Sequence, residues 1–199
     1  MLSLEEGKLL VKTARKTIET YLREGRPYPR PSVPTNLMKK QGVFVTLTKH
    51  GELRGCIGHP FPTMPLIDAL IDAAISSATQ DPRFPALSPD ELSDVEIEVT
   101  VLSTPEVLKV KHPKDYPKEI VIGRDGLIVE CGMRAGLLLP QVPVDWNWDA
   151  EEFLSQCCIK AGLPPDSWLD RNVSVSKFSG QVFSERGPNG EVEERKLTK

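Results

Sequence analysis

Apolar residues recur at helical spacing through Leu10, Val11, Ala14, Ile18, Tyr21 and Leu22, with Lys12, Arg15, Lys16 and Glu19 between them. That pattern predicts an amphipathic helix over residues 3–24. Ser3 followed by Glu6 has the spacing of a capping box, and Gly25 is a natural stop. The proline-rich run from Arg26 to Pro34 fits neither helix nor central strand and reads as an extended tether. Residues 42–58 read as a β-hairpin, with the turn at Lys49-His50-Gly51-Glu52. From Pro65 to Thr79 the chain is apolar around most of a helical circumference, which predicts a buried helix. Val95, Ile97, Val99 and Val101 alternate with Glu96, Glu98 and Thr100, the period of a strand with one solvated face.

A second hairpin is predicted around Ile120–Val129, with Asp125-Gly126 as its turn, and Leu137-Leu138-Leu139 extends that sheet. Asp149 caps a predicted helix over 150–161 that Gly162 ends, and one cysteine of the pair Cys157-Cys158 faces its core. Residues 173–184 form a last strand, and the charged, Gly/Pro-broken tail 185–199 is expected to be loosely held. Strands arranged as hairpins without a βαβ rhythm predict an α+β fold with a largely antiparallel sheet and flanking helices.

The chain has 199 residues, 25 basic against 28 acidic, with 39% hydrophobic and 27% charged residues. These values fit one globular domain over 1–199, or two small lobes sharing one core, and argue against a disordered polyelectrolyte. The mild acidity removes the broad electrostatic case for nucleic acid and leaves only a local basic patch open. No apolar run reaches membrane-spanning length and no secretory leader is recognisable, so no membrane association and a cytoplasmic location are expected. The four cysteines have no scaffold spacing and no C-x-x-C, so reduced thiols and no metal site are expected. Nucleotide-loop, zincin and nucleophile-elbow motifs are missing, and no cofactor is indicated.

Candidate chemistry concentrates in Leu53-Arg54-Gly55-Cys56-Ile57-Gly58-His59. In a regular strand Arg54 and Cys56 share one face, and a guanidinium beside a thiol favours thiolate. Gly55 and Gly58 leave room for close approach of a ligand or of another chain segment. His59 serves as a base for Cys56 only if the chain turns back after Gly58. In Asp81-Pro82-Arg83-Phe84-Pro85, two prolines hold Asp81 and Arg83 in place, either to present Arg83 to an anion or as an internal ion pair, with Phe84 as a core plug. Glu96 and Glu98 read as a solvated sheet face. Trp146-Asn147-Trp148 offers rings that can stack on a flat ligand, or that simply pack before a helix. Thiols buried as small hydrophobes are common, so a packing role for Cys56 stands beside the chemical one.

The segment Leu53-Arg-Gly-Cys-Ile-Gly resembles the hallmark of the AMMECR domain family, named after a human chromosomal region linked to Alport syndrome. Asp81-Pro-Arg-Phe-Pro, the strand Val95–Leu102, Gly126-Leu-Ile-Val, Leu139-Pro-Gln-Val, Trp148-Asp-Ala-Glu-Glu-Phe-Leu and Lys160-Ala-Gly-Leu are similar to family segments in family order, so the resemblance covers about residues 5–184. It implies an antiparallel sheet with flanking helices, a large lobe, a smaller lobe and a cleft at the hallmark. It carries Arg54, Gly55, Cys56, Gly58, Asp81 and Arg83 over as site positions and gives no support to a Cys56–His59 dyad. It assigns no reaction; relatives found beside or fused to a radical-SAM-type protein and a Memo-like protein imply a functional link. Two functions are therefore expected. One is a cleft that binds a small molecule or a protein partner through Arg54 and Arg83. The other is an enzyme with Cys56 as nucleophile or redox thiol on a small anionic substrate.

Overall fold

The computed structural model describes residues 1–196. Helices α1 (Leu4–Glu24), α2 (Leu66–Thr79), α3 (Val142–Asp145) and α4 (Ala150–Lys160) accompany eight strands. These are β1 (Gly42–Lys49), β2 (Glu52–His59), β3 (Val95–Leu102), β4 (Glu106–Val107), β5 (Asp125–Cys131), β6 (Arg134–Leu138), β7 (Ser174–Glu185) and β8 (Val192–Arg195). The strand order is β2-β1-β3-β7-β5-β6, with β4 and β8 each pairing with β7. The pairs β1–β2, β1–β3, β5–β6 and β5–β7 are antiparallel. The architecture is α+β, an antiparallel sheet flanked by helices, as the hairpin pattern predicts. The chain divides into two compact units: residues 1–102 with 181–195, and residues 103–180.

The first unit begins with α1. The Ser3 hydroxyl accepts from the Glu6 N–H while the Glu6 carboxylate accepts from the Ser3 N–H, satisfying two helix-end donors reciprocally. Gly25, left-handed at φ 69°, ends the helix. The predicted stripe Leu10, Val11, Ala14 and Ile18 is buried, and its core includes Leu66, Ile67, Leu70, Ala73 and Ala74 of α2 and Val43, Val45, Leu47, Ile97 and Val99 of the sheet. Arg15 is buried too. Its guanidinium forks onto Glu185, donating Nε to Oε1 at 2.7 Å, and donates Nη2 to the Val95 carbonyl at 2.6 Å. Glu185 also accepts from the Ile97 N–H at 2.9 Å. A buried carboxylate is tolerable only with this many partners. Residues 185–195 are thus not a loose tail. Glu185 is the end of β7, and Val192–Arg195 pairs back onto it. Residues 197–199 lie outside the described residues.

The second unit has its own core of Leu127, Val129, Phe153, Leu154, Cys157, Trp168 and Val175, among others. Its hairpin differs from the sequence expectation. Asp125-Gly126 is not a turn tip but the start of β5, and the chain reverses between Cys131 and Arg134, with Gly132 at φ 58°. The Asp125 carboxylate is drawn inward, accepting from the Val121 N–H at 2.9 Å and from Arg124. Gly126 is required because a Cβ there would meet the Phe178 ring at 2.3 Å. Both Cys157 and Cys158 are buried, not one of the two.

Candidate functional site

The segment 53–59 is a strand, but not a regular one. The β1–β2 register steps from Leu47 opposite Gly55 to Thr48 opposite Leu53, which leaves Arg54 as an extra residue at a β-bulge. Strict alternation therefore stops at Arg54, and the shared face expected for Arg54 and Cys56 does not follow from it. The Arg54 guanidinium forks onto Glu91, donating Nε at 3.2 Å and Nη2 at 3.0 Å, and donates Nη1 to the Pro85 carbonyl at 2.9 Å. Glu91 also receives Lys49 at 3.1 Å and the Ser88 N–H at 3.0 Å. With two cations and a backbone donor on it, led by the hydrogen bond from Arg54, the Glu91 carboxyl is lowered to about 2. Arg54 thus spends its donors on anchoring the loop that follows α2.

That loop carries the second motif back against the first. Asp81, with a side chain 2% exposed, accepts from the Cys56 N–H at 2.9 Å and from Arg83 Nη2 at 2.7 Å through one oxygen. Its other oxygen accepts from Arg83 Nε at 2.9 Å and the Arg83 N–H at 3.1 Å. The hydrogen bond from Arg83, then those from the Cys56 and Arg83 amides, outweigh burial and bring the Asp81 carboxyl down to about 2. The expected Asp81–Arg83 pair is present. Arg83 remains 52% exposed, and its Nη2 also reaches the Cys56 carbonyl at 3.4 Å. Its guanidinium lies 5.4 Å from the centroid of Phe84. Phe84 is therefore half-buried under a cation rather than a core plug. Arg83 is held above the ordinary arginine value, chiefly by the Asp81 hydrogen bond; charge on Asp81 and on a Cys56 thiolate adds to this against desolvation.

Cys56 is half-buried, with its sulfur 3.3 Å from the Thr46 hydroxyl across the hairpin. Thr46 is in turn opposite Glu98 of β3, so thiol, hydroxyl and carboxylate occupy one cross-strand row. The Glu98 side chain is only 15% exposed and pairs with Arg195 at 3.3 Å, so this position is not the solvated face that alternation implied. His59 continues β2 instead of turning back, and its Nε2 meets Asp72 of α2 at 2.8 Å. In a strand, positions 56 and 59 point to opposite sides, so His59 is not a base for Cys56.

The two glycines admit the protein's own backbone. A Cβ on Gly55 would lie 2.2 Å from the Ser77 carbonyl of α2, and one on Gly58 would lie 2.2 Å from the Val43 carbonyl. This close approach lets the Ser77 hydroxyl accept from the Ile57 N–H at 2.8 Å and donate to the Val45 carbonyl at 2.7 Å. Glu91 and Ser77 are the site neighbours that local motif reading misses, because they lie 37 and 20 residues from their partners Arg54 and Ile57. Among the described residues no group of three or more His, Cys, Asp or Glu side chains is arranged to hold a metal ion, and no helix is long and apolar enough to cross a membrane.

Comparison with known proteins places these motifs in a lineage. The chain is 56% identical over 187 residues to a protein of Methanothermobacter thermautotrophicus, covering 94% of this chain and 97% of that one. It is 52% identical over 199 residues to Protein MJ0810 of Methanocaldococcus jannaschii, covering 99% and 98%. The crystal structure of the uncharacterized protein PH0010 from Pyrococcus horikoshii superposes with a TM-score of 0.95 at 49% identity, over 97% of this chain and 98% of that one. The AMMECR1 pattern itself matches residues 11–183, spanning the bulged strand, the Asp81–Arg83 loop and nearly all of both units. The chain belongs to the AMMECR1 family.

Proposed function

We propose that the segment 53–58 and the loop 81–85 form a recognition site for an anionic group on a small molecule or a protein partner, without bond-making. One observation carries the reading: a half-exposed guanidinium, Arg83, is clamped by a buried carboxylate and rests on an aromatic ring. Ordinary surface arginines sample many rotamers, and ordering one on binding costs free energy. Arg83 has met most of that cost in advance. Nε and Nη2 are taken, while Nη1 makes no hydrogen bond among the described residues and offers its donors to a carboxylate or phosphate. Asp81 positions it, Arg54 fixes the loop through Glu91, Gly55 and Gly58 set the strand's seating, and Cys56 is a close-fitting wall. Unbridged thiols at all four cysteines favour a cytoplasmic setting.

The test is an NMR titration with inorganic phosphate and with succinate. Saturable shifts of the Cys56 amide and the Arg83 Nε–H are expected, lost in Arg83→Gln and kept in Cys56→Ser. Retention in Arg83→Gln sinks the proposal.

A second reading makes Cys56 a nucleophile toward a small anionic substrate. It is favoured by the electrostatic coupling of the sulfur with Arg83 and by the Thr46 hydroxyl at 3.3 Å. Alkylation by iodoacetamide across pH separates the readings. A thiol titrating well below about 8.5 supports chemistry, whereas slow alkylation that needs unfolding removes it.

A further inference from the structure

The recognition site above makes no use of the second unit, where one feature lacks a packing explanation. The single turn α3 ends at Asp145, and Asn147 takes a left-handed conformation at φ 53°. This brings Trp146 and Trp148, two residues apart, into a stack with ring centroids 6.1 Å apart and planes 20° from parallel. Trp148 is half-buried and packs against the second unit's core. Trp146 is 70% exposed, the most exposed of the aromatic side chains among the large hydrophobic residues at the surface. A large ring so open to water contributes little to folding, and its stack on Trp148 restricts how it can turn.

The surroundings identify what such a ring would take. Residues 145–152 contain Asp145, Asp149, Glu151 and Glu152 and no basic residue. All four are exposed, as are Trp146 and Asn147. An indole face attracts a cation through its quadrupole, and carboxylates on the same short segment add Coulomb attraction. The same charges repel phosphates, so stacked nucleobases and anionic lipid headgroups are disfavoured. We propose that the Trp146–Trp148 stack is a docking platform for an arginine- or lysine-bearing segment of a partner protein. Trp146 offers the open face, Trp148 holds it, and Glu151 and Glu152 supply long-range attraction.

The test uses the full chain and a capped hexa-arginine peptide, with hexaglutamate and single-stranded oligo-dT as competitors for the assignment. Saturable movement of the Trp146 indole N–H resonance is expected with hexa-arginine alone, weakening as salt rises. Trp146→Ala should reduce affinity at least five-fold and Trp146→Phe by less. Glu151→Gln with Glu152→Gln should flatten the salt dependence while leaving the indole shift measurable. Because Trp146 stands largely in solvent, its replacement should leave the melting temperature unchanged, which separates lost binding from lost fold. Equal affinity in Trp146→Ala, equal or tighter binding of oligo-dT or hexaglutamate, or no saturable response to hexa-arginine would each overturn the proposal. Because the platform does not include Arg83, Arg83→Gln should leave hexa-arginine binding intact.

Discussion

The two units each press the late turns of a helix against a strand glycine, and each has a cysteine at that contact, yet the outcomes are opposite. In the first unit Gly55 admits the Ser77 carbonyl of α2, and the cysteine sits beside the glycine on the strand, half open and next to a cation. In the second, Gly136 of β6 admits α4 so closely that a Cβ would lie 2.5 Å from the Cys157 carbonyl and the Ala161 nitrogen. There the cysteine is on the helix. Its sulfur donates toward the Gly136 and Leu127 carbonyls, and burial pushes the thiol up to about 12. A glycine next to a cysteine thus reports close packing and says nothing about reactivity. What distinguishes Cys56 is the loop of polar and charged groups brought in from residues 81–91.

The sharpest way to break this comparison is to add one carbon to each glycine. Gly55→Ala drives a Cβ into a helix backbone that cannot rotate away, and we expect a loss of about 3 kcal/mol or more in thermal or urea unfolding. Gly136→Ala, with slightly more room, should cost about 1–3 kcal/mol. If Gly55→Ala melts like the parent, the helix is not seated as described.

Acid should strike the first unit's loop. Asp81 and Glu91 both have native values near 2, below their ordinary carboxylate values. A carboxyl depressed on folding stabilises the protein above its unfolded value, and that contribution fades as pH falls toward the native one. For Asp81, lowering from the ordinary carboxylate value to about 2 corresponds to roughly 2 kcal/mol, present at pH 7 and lost between about pH 4 and 2. Hydrogen exchange at the Cys56 amide should accelerate across that window relative to Gly136. Asp81→Asn should remove most of the difference, and an identical pH response in that variant would contradict the assignment.

The smallest effect concerns the helix residue at each contact. Ser77→Ala strips a partner from the Ile57 N–H and should cost about 1–2 kcal/mol. Cys157→Ala removes only a weak donor and a small volume, and should cost about 1 kcal/mol. Equilibrium unfolding in urea measures both, and a Ser77→Ala change smaller than that of Cys157→Ala would reverse the order proposed.

The local grammar of the chain was readable from its residues alone. Ser3, Glu6 and Gly25 bound α1, His50-Gly51 turns the first hairpin, and Asp149 caps α4, because each acts within a few residues of itself. What failed was whatever depended on a partner strand or a distant loop. The bulge at Arg54 exists only in relation to β1, and the destination of its guanidinium, Glu91, is 37 residues away. Asp125-Gly126 carries a turn signature, but Phe178 claims the glycine and Val121 the carboxylate. The Asp81–Arg83 pair was legible because both prolines and both charges fall within five residues. Its grip on the Cys56 amide was not.

The ion pair between Arg15 and Glu185 has a consequence for the order in which the molecule assembles. The first unit is completed only by residues 181–195, after a long excursion through the second. On a ribosome, α1 and the first hairpin emerge with Arg15 facing a core that still lacks its counter-charge, and the missing carboxylate is delivered only after residues 103–180 of the second unit have been made. The intervening residues carry a hydrophobic core of their own around which they can condense first. The second unit should thus close before the first, with the end of β7 acting as the bolt that lets α1 settle.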